Sequence, residues 1–100
     1  MVVGVLVLDL HFHVPQSLKQ KRGTVKKLQA RIRNRFPVSC AETGSHDLWQ
    51  RCQLGVVMVA MREPEIRRVF EQLEADLESS GLAELGASQS EMLHYGDSMD

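Results

Sequence analysis

SLKQKRGTVKKLQARIRNRF, residues 17–36, has the clearest structural pattern of the chain. Its apolar residues follow one another at intervals of seven, three, four and four positions, which keeps them on one stripe of a helix. These residues are Leu18, Val25, Leu28, Ile32 and Phe36. Eight of the chain's twelve lysines and arginines lie in the same stretch. The pattern predicts a basic amphipathic helix that Ser17 caps and Pro37 ends.

Strand patterns lie on both sides of this helix. Residues 1–13 place leucines on one face and valines on the other, so we expect a central strand that is buried on both sides over its first half. Residues 38–42 and 48–61 predict two more strands. The turn-forming sequence TGSHD at residues 43–47 separates them, which favours an antiparallel hairpin.

The last part of the chain predicts a second helix and a weaker strand. Pro64 stands near the first turn of the helix and Gly81 is a natural residue to end it. Residues 82–95 predict a fourth strand at an edge of the sheet.

The predicted order β-α-β-β-α-β is that of a ferredoxin-like α+β sandwich. Right-handed crossovers then give a four-stranded antiparallel sheet of order 4-1-3-2, with two helices on one face. We expect a single domain over residues 1–95 and a flexible C-terminal tail over residues 96–100.

The charge of the chain is unevenly divided. Residues 1–51 carry nine lysines and arginines against three acids, whereas residues 52–100 carry three against ten. The basic half can meet an anionic partner. The first apolar run is short, is interrupted by polar residues and lacks the pattern of a signal peptide, so we expect a cytoplasmic protein without a membrane span.

The topology brings three basic or aromatic segments to one end of the sheet: the start of the basic helix, the hairpin turn and the end of the first strand. Cations there suit the phosphates of a single-stranded nucleic acid, and an indole ring suits its bases. The candidate nucleic-acid-binding residues are Lys19, Lys21, Arg22, Lys26, Trp49 and Arg51. The alternative interpretation is a solvated helix face and a tryptophan that closes the edge of the core.

The opposite end of the helix-free face is predicted to be apolar. Strands one and three are neighbours in this topology, so the side chains on their outer faces meet. Uncovered apolar surface on a small domain usually marks an interface, and we expect a homodimer. The predicted self-association residues are Val3, Val5, Val7, Val57, Val59 and Met61. The alternative is that the C-terminal segment folds over them.

A polar cluster is predicted at the end of the first strand. Asp9, His11 and His13 share one strand face, and His46 in the hairpin turn is expected close by. Alternating histidines with a carboxylate can bind a metal ion, but polar residues on an open sheet are the commoner explanation, and we predict no metal site.

The two cysteines have two interpretations. If His46 centres the hairpin, Cys40 and Cys52 lie opposite each other and a disulfide is conceivable. Two buried thiols are the favoured alternative. Glu42 and Asp47 flank the turn, but nothing in the sequence fixes the distance between these carboxylates.

Motifs of catalysis and cofactor binding are missing from the sequence. There is no glycine-rich phosphate loop, no G-x-S-x-G, no H-E-x-x-H and no C-x-x-C. We therefore expect a binding module without a cofactor rather than an enzyme.

Several segments together resemble the YlxP-like small bacterial proteins, a family of unknown function. The resemblance is close over residues 1–61. It rests on GVLVLDLH (4–11), SLKQKR (17–22), RIRNRFPVS (31–39), AE (41–42), DLWQR (47–51) and LG (54–55). The resemblance implies a ferredoxin-like fold. Genes of the family often neighbour those of ribosome-binding factor A and translation initiation factors, which implies a role in translation or ribosome assembly.

These observations predict an RNA- or ribosome-associated binding module, with RNA or a ribosomal subunit as its partner. One alternative is a protein-interaction or regulatory subunit that uses the open sheet face. A less favoured alternative is a small metal-dependent enzyme at His11 and His13. The resemblance implies no catalytic residue.

Overall fold

The protein is represented by a computed structural model that describes residues 1–13, 17–45 and 48–96. Its elements are β1 (Val2–His11), α1 (Leu18–Arg35), β2 (Ser39–Gly44), β3 (Arg51–Ala60), α2 (Glu63–Ser80) and β4 (Glu84–His94). This order confirms the predicted β-α-β-β-α-β arrangement. The C-terminal tail was predicted from residue 96, and residues 97–100 lie outside the described part of the chain.

The four strands form one antiparallel sheet of order β2-β3-β1-β4, which is the predicted order 4-1-3-2 read from the other edge. The central strand β1 pairs with both β3 and β4. At the middle of β1, Val5 lies opposite Val57 of β3 and Glu91 of β4. The ferredoxin-like sandwich is therefore the fold of this chain.

The core lies between the helices and one face of the sheet. It contains the leucines of β1, the apolar stripe of α1 and the stripe of α2 that includes Ile66 and Phe70. Gly4 of β1 packs so closely under α2 that an added Cβ atom would collide with Ile66 and touch the ring of Phe70. Glycine at this position lets the helix approach the sheet.

The helix boundaries follow local chemistry that the sequence contains. The Ser17 hydroxyl accepts a hydrogen bond from the Gln20 backbone N–H at 3.2 Å and caps α1. Pro64 stands in the first turn of α2, and Gly81 ends this helix with a φ of 74°, a left-handed conformation that favours glycine. Within the described residues, neither helix is long and apolar enough to cross a membrane.

The hairpin between β2 and β3 differs from the prediction. Cys40 lies opposite Val56, and the register shifts between Glu42 and Gly44, so the hairpin is not centred on residue 46. Cys40 and Cys52 are therefore displaced along their strands rather than opposite each other. Both are buried free thiols. The favoured interpretation of two buried thiols is confirmed. The condition for the alternative pairing, a hairpin centred on His46, is not met, because β2 continues to Gly44 while β3 begins only at Arg51.

Candidate nucleic-acid interface

The predicted convergence at one end of the sheet is present in the structure. Lys21, in the first turns of α1, donates a hydrogen bond from Nζ to the Ser45 carbonyl at 2.6 Å. After the turn, the Gln50 carbonyl accepts a hydrogen bond from the Phe12 N–H at 2.8 Å. The beginning of α1, the hairpin and the end of β1 are thus tied together. We call this region the hairpin end; its exposed residues are Lys19, Arg22, Trp49 and Arg51, and Lys26 continues it along α1.

Lys21 itself is not part of this surface. Its side chain is 1 % exposed, and its Nζ lies 3.0 Å from Glu42 Oε2. The prediction that Lys21 contacts nucleic acid was wrong, because its ammonium group points into the protein and holds β2 and the turn. Lys21 stands three residues after Leu18 and four before Val25. That spacing places it on the apolar stripe, and this signal in the sequence could have identified it as buried.

The other predicted cations are accessible. Lys19, Arg22 and Lys26 are exposed, and no ion pair among the described residues involves them. A groove of about 180 Å³ runs beside Arg22 and Lys26 between α1 and β2. The N-terminal half of α1 therefore keeps its positive charge at the protein surface.

The arginines in the C-terminal half of the same helix contact other elements of the protein. Arg31 donates from Nε and an Nη atom to the two Asp76 carboxylate oxygens at 2.8 and 3.0 Å, and Arg35 donates to the same carboxylate at 2.8 Å. Arg33 donates to the Cys40 carbonyl at 2.7 Å. The hydrogen bond from Arg31, followed by the positive charges of both arginines, lowers the pKa of Asp76. These interactions fasten α1 to α2 and β2.

The aromatic and strand residues of the hairpin end are also at the surface. Trp49, in the turn before β3, is 39 % exposed. Arg51 is exposed and pairs in register with His11 of β1. An indole and a guanidinium group at a turn supply a stacking surface and a phosphate donor.

The polar cluster has a member that the sequence analysis missed. Glu84 of β4 lies opposite His11, and its Oε2 is 2.5 Å from Nε2 of His13. The hydrogen bond with His13 lowers the pKa of Glu84. The pairing of β1 with β4 shifts between Leu8 and Leu10, next to Gly86 of β4, and a glycine inside a strand is a signal of such an irregularity.

The third histidine of the predicted cluster, His46, lies outside the described residues. Asp9 of this cluster pairs in register with Gln53. Among residues 1–13, 17–45 and 48–96, no group of three or more histidine, cysteine, aspartate or glutamate side chains is arranged to hold a metal ion.

The buried thiols are poor nucleophiles. Burial, assisted by the charge of Glu42 and a hydrogen bond to it, raises the pKa of Cys52 to about 12. Burial also raises the pKa of Cys40. Because a thiol reacts through its thiolate, neither cysteine is activated at neutral pH.

The outer face of the sheet has the geometry predicted for its apolar half. Val3 lies opposite Val59, and Val5 lies opposite Val57. Val57 is 41 % exposed, Val59 58 % and Met61, just beyond β3, 83 %. Val7 lies opposite Gly55, which forms part of a mainly apolar groove of about 440 Å³ on this face.

Three comparisons place the chain among known proteins. A family model described as "Protein of unknown function (DUF503)" matches residues 3–90. The uncharacterized protein YlxP of Bacillus subtilis (strain 168) is 40 % identical over 58 residues, which is 54 % of this chain and 63 % of that protein. The match therefore spans less than two thirds of the relative's length.

A solved structure has a similar fold. It is a mutant form of SnoaB, a cofactor-independent oxygenase from Streptomyces nogalater. The TM-score is 0.52 with 10 % sequence identity, and the match covers 92 % of this chain and 91 % of that one. At this identity the likeness concerns the fold alone.

Proposed function

Because the chain belongs to the DUF503 family of proteins of unknown function, its role has to be argued from its own residues, and we propose that it is a non-enzymatic RNA-binding module. The ligand we propose is a single-stranded segment of ribosomal RNA, which links the protein to translation or ribosome assembly. The RNA-contacting residues in this proposal are Lys19, Arg22, Lys26, Trp49 and Arg51.

One observation carries this proposal. The basic helix divides its cations between two tasks: Arg31, Arg33 and Arg35 bond to other elements of the protein, whereas Lys19, Arg22 and Lys26 are exposed and form no ion pair within the described residues. Exposed cations that form no ion pair within the described part of the chain can replace the counterions of phosphate groups. Their position beside the hairpin makes this charge a local feature rather than a general property of the surface.

The hairpin adds a second kind of contact to the same end. The Lys21–Ser45 hydrogen bond fastens Ser45 to α1, and exposed Trp49 stands four residues further along the chain. An aromatic ring that stacks on one base contributes about 1–3 kcal/mol to binding of single strands. Cations along the backbone and one stacked base form a combination that binds RNA with little sequence preference.

A salt titration with a charge-matched pair of variants tests the proposal. The probe is a labelled single-stranded RNA about 12 nucleotides long, within the usual site size of such proteins. Lys19→Glu with Arg22→Glu is expected to weaken binding at least tenfold. It is also expected to reduce the slope of log K against log salt by about 1.4, or about 0.7 for each phosphate that is no longer neutralised.

The control is Arg62→Glu with Arg68→Glu, which changes the net charge equally at two exposed arginines on α2 and its cap. It is expected to change affinity by less than about threefold, since distant charges are screened at physiological salt. Salt-insensitive binding by the unmodified protein, no binding at all, or equal weakening by both variants would refute the proposal.

A further inference from the structure

The outer face of the sheet is exposed where it is most apolar. We call the rows that contain Val3, Val5, Val57, Val59 and Leu93 the apolar end of this face. The two β3 valines are 41 % and 58 % exposed. No described helix covers them, because α1 and α2 both pack on the other face.

We propose that this face binds a second copy of the chain, with the twofold axis parallel to the strands. The arrangement stacks the apolar end of one sheet on the apolar end of the other. It also places the hairpin ends of both copies at the same end of the dimer.

The charge pattern of this face favours a second copy of the chain as its partner. In the three outer rows from Val3 to Val7, Glu91 on the edge strand β4 is the one charged residue among the described positions. A central region without charges is typical of protein interfaces, and it offers no recognition to a strongly acidic or basic ligand. Since Glu91 lies at the β4 edge, the axis places it over the β2 edge of the other copy, away from its symmetry mate.

The rows of this face match one another under a twofold axis. A groove of about 440 Å³ on the face is lined by residues of β1, β2 and β3, among them Gly55, which lies opposite Val7. In a twofold interface both copies use the same surface, so each residue of that surface meets another residue of the same surface. With the axis parallel to the strands, β3 of one copy lies over β1 of the other, so Val59 faces Val3 and Val57 faces Val5.

The other orientation is unfavourable. A twofold axis perpendicular to the strands, through the middle of the sheet, would stack the valines on the polar rows that contain Asp9, His11 and Arg51. Those charged groups would then be buried against apolar side chains without a partner, which is unfavourable. The distribution of residues along the strands therefore selects the parallel axis.

The size of the face indicates a weak dimer. Four strands about 4.8 Å apart are about 19 Å wide, and the six positions from Val2 to Val7 are about 20 Å long, so each copy contributes about 400 Å² from the strands. A standard interface buries about 800 Å² on each partner. We therefore expect dissociation in the micromolar range, with exposed Met61 and Tyr95 enlarging the contact beyond the strands.

The dimer has a consequence for RNA that rests on the proposed function. Two basic surfaces at one end can contact a single strand together, which makes binding tighter than one surface allows. The dimer itself does not depend on RNA, so it is tested in its absence.

Sedimentation equilibrium across micromolar concentrations tests the interface. The unmodified protein is expected to show a monomer–dimer equilibrium, and Val59→Asp is expected to remain monomeric. The matched control Ala30→Asp adds the same charge at an exposed position of α1 and is expected to dimerise normally. Val59 is more than half exposed, so the variant is expected to fold, which circular dichroism verifies. A protein that stays monomeric, or a dimer that Val59→Asp leaves intact, overturns the proposal.

A distance measurement tests the axis. A spin label at Gln50→Cys marks the hairpin end, while the buried thiols Cys40 and Cys52 label poorly because their pKa values are raised. The parallel axis predicts a distance below about 30 Å between labels. A distance beyond about 35 Å, more than the length of a ten-residue strand, overturns it.

Discussion

Lys21 and Arg22 are neighbours in the sequence with opposite surroundings. The Lys21 side chain is almost fully buried and lies against Glu42 and the Ser45 carbonyl, whereas Arg22 is exposed beside the groove between α1 and β2. The charge of a residue favours exposure to solvent, but it does not say which face of a helix the residue is on. The position in the apolar periodicity decides the face, and a lysine at an apolar-stripe position is buried with a counter-charge.

Replacing each residue by methionine separates these two roles. Lys21→Met removes the positive charge beside partly buried Glu42 and is expected to lower the free energy of unfolding by about 3 kcal/mol. Arg22→Met is expected to change it by less than about 0.5 kcal/mol. Urea denaturation measures both. Equal stabilities of the two variants would show that the Lys21–Glu42 pair does not hold the hairpin.

The element that connects fold and function is α1. Its N-terminal half presents exposed cations, while Arg31 and Arg35 in its C-terminal half bind Asp76 of α2. The apolar spacing and the cap predict the helix from the sequence, because both signals are local. Asp76 and Glu84 could not be predicted as partners of basic residues, since those contacts join elements far apart in the chain. The hairpin register was missed because turn-forming residues mark a loop without fixing its length, and Cys40 pairs with Val56.

The stabilising interaction of Asp76 with Arg31 and Arg35, which joins the two helices, is expected to depend on pH. The pKa of Asp76 is lowered in the folded protein, so its carboxylate stabilises the fold above the ordinary pKa of 3.8, and this contribution is lost as the pH falls through the folded value. Asp76→Asn is expected to lower the free energy of unfolding by about 1–2 kcal/mol at pH 7. The difference from the unmodified protein is expected to shrink below about pH 4.

Urea denaturation at several pH values between about 7 and 3 checks this expectation, with Glu71→Gln as the control for an exposed carboxylate on the same helix. A difference that stays constant to the lowest pH would mean that the ionised form of Asp76 is not what joins the helices.

At the scale of the whole molecule, topology explains most of what was predictable. Alternating leucines and valines in β1 require a two-sided central strand, and Gly81 and Pro64 mark the ends of α2. Once the element order is known, the right-handed crossovers place the hairpin beside the start of α1. The same topology leaves one face of the sheet without helices. The molecule therefore has two surfaces whose composition suits binding: the hairpin end, with its exposed cations, and the apolar end of the sheet.

An NMR titration of labelled protein with a short single-stranded RNA at low salt decides whether the hairpin end is the RNA-binding surface. Amide signals of residues 17–26 and 48–53 are expected to shift and to return toward their free positions as salt is added. The signals of α2 are expected to stay in place. Shifts concentrated on α2, or a protein whose spectrum RNA leaves unchanged, would contradict the assignment of the hairpin end as the RNA-binding surface.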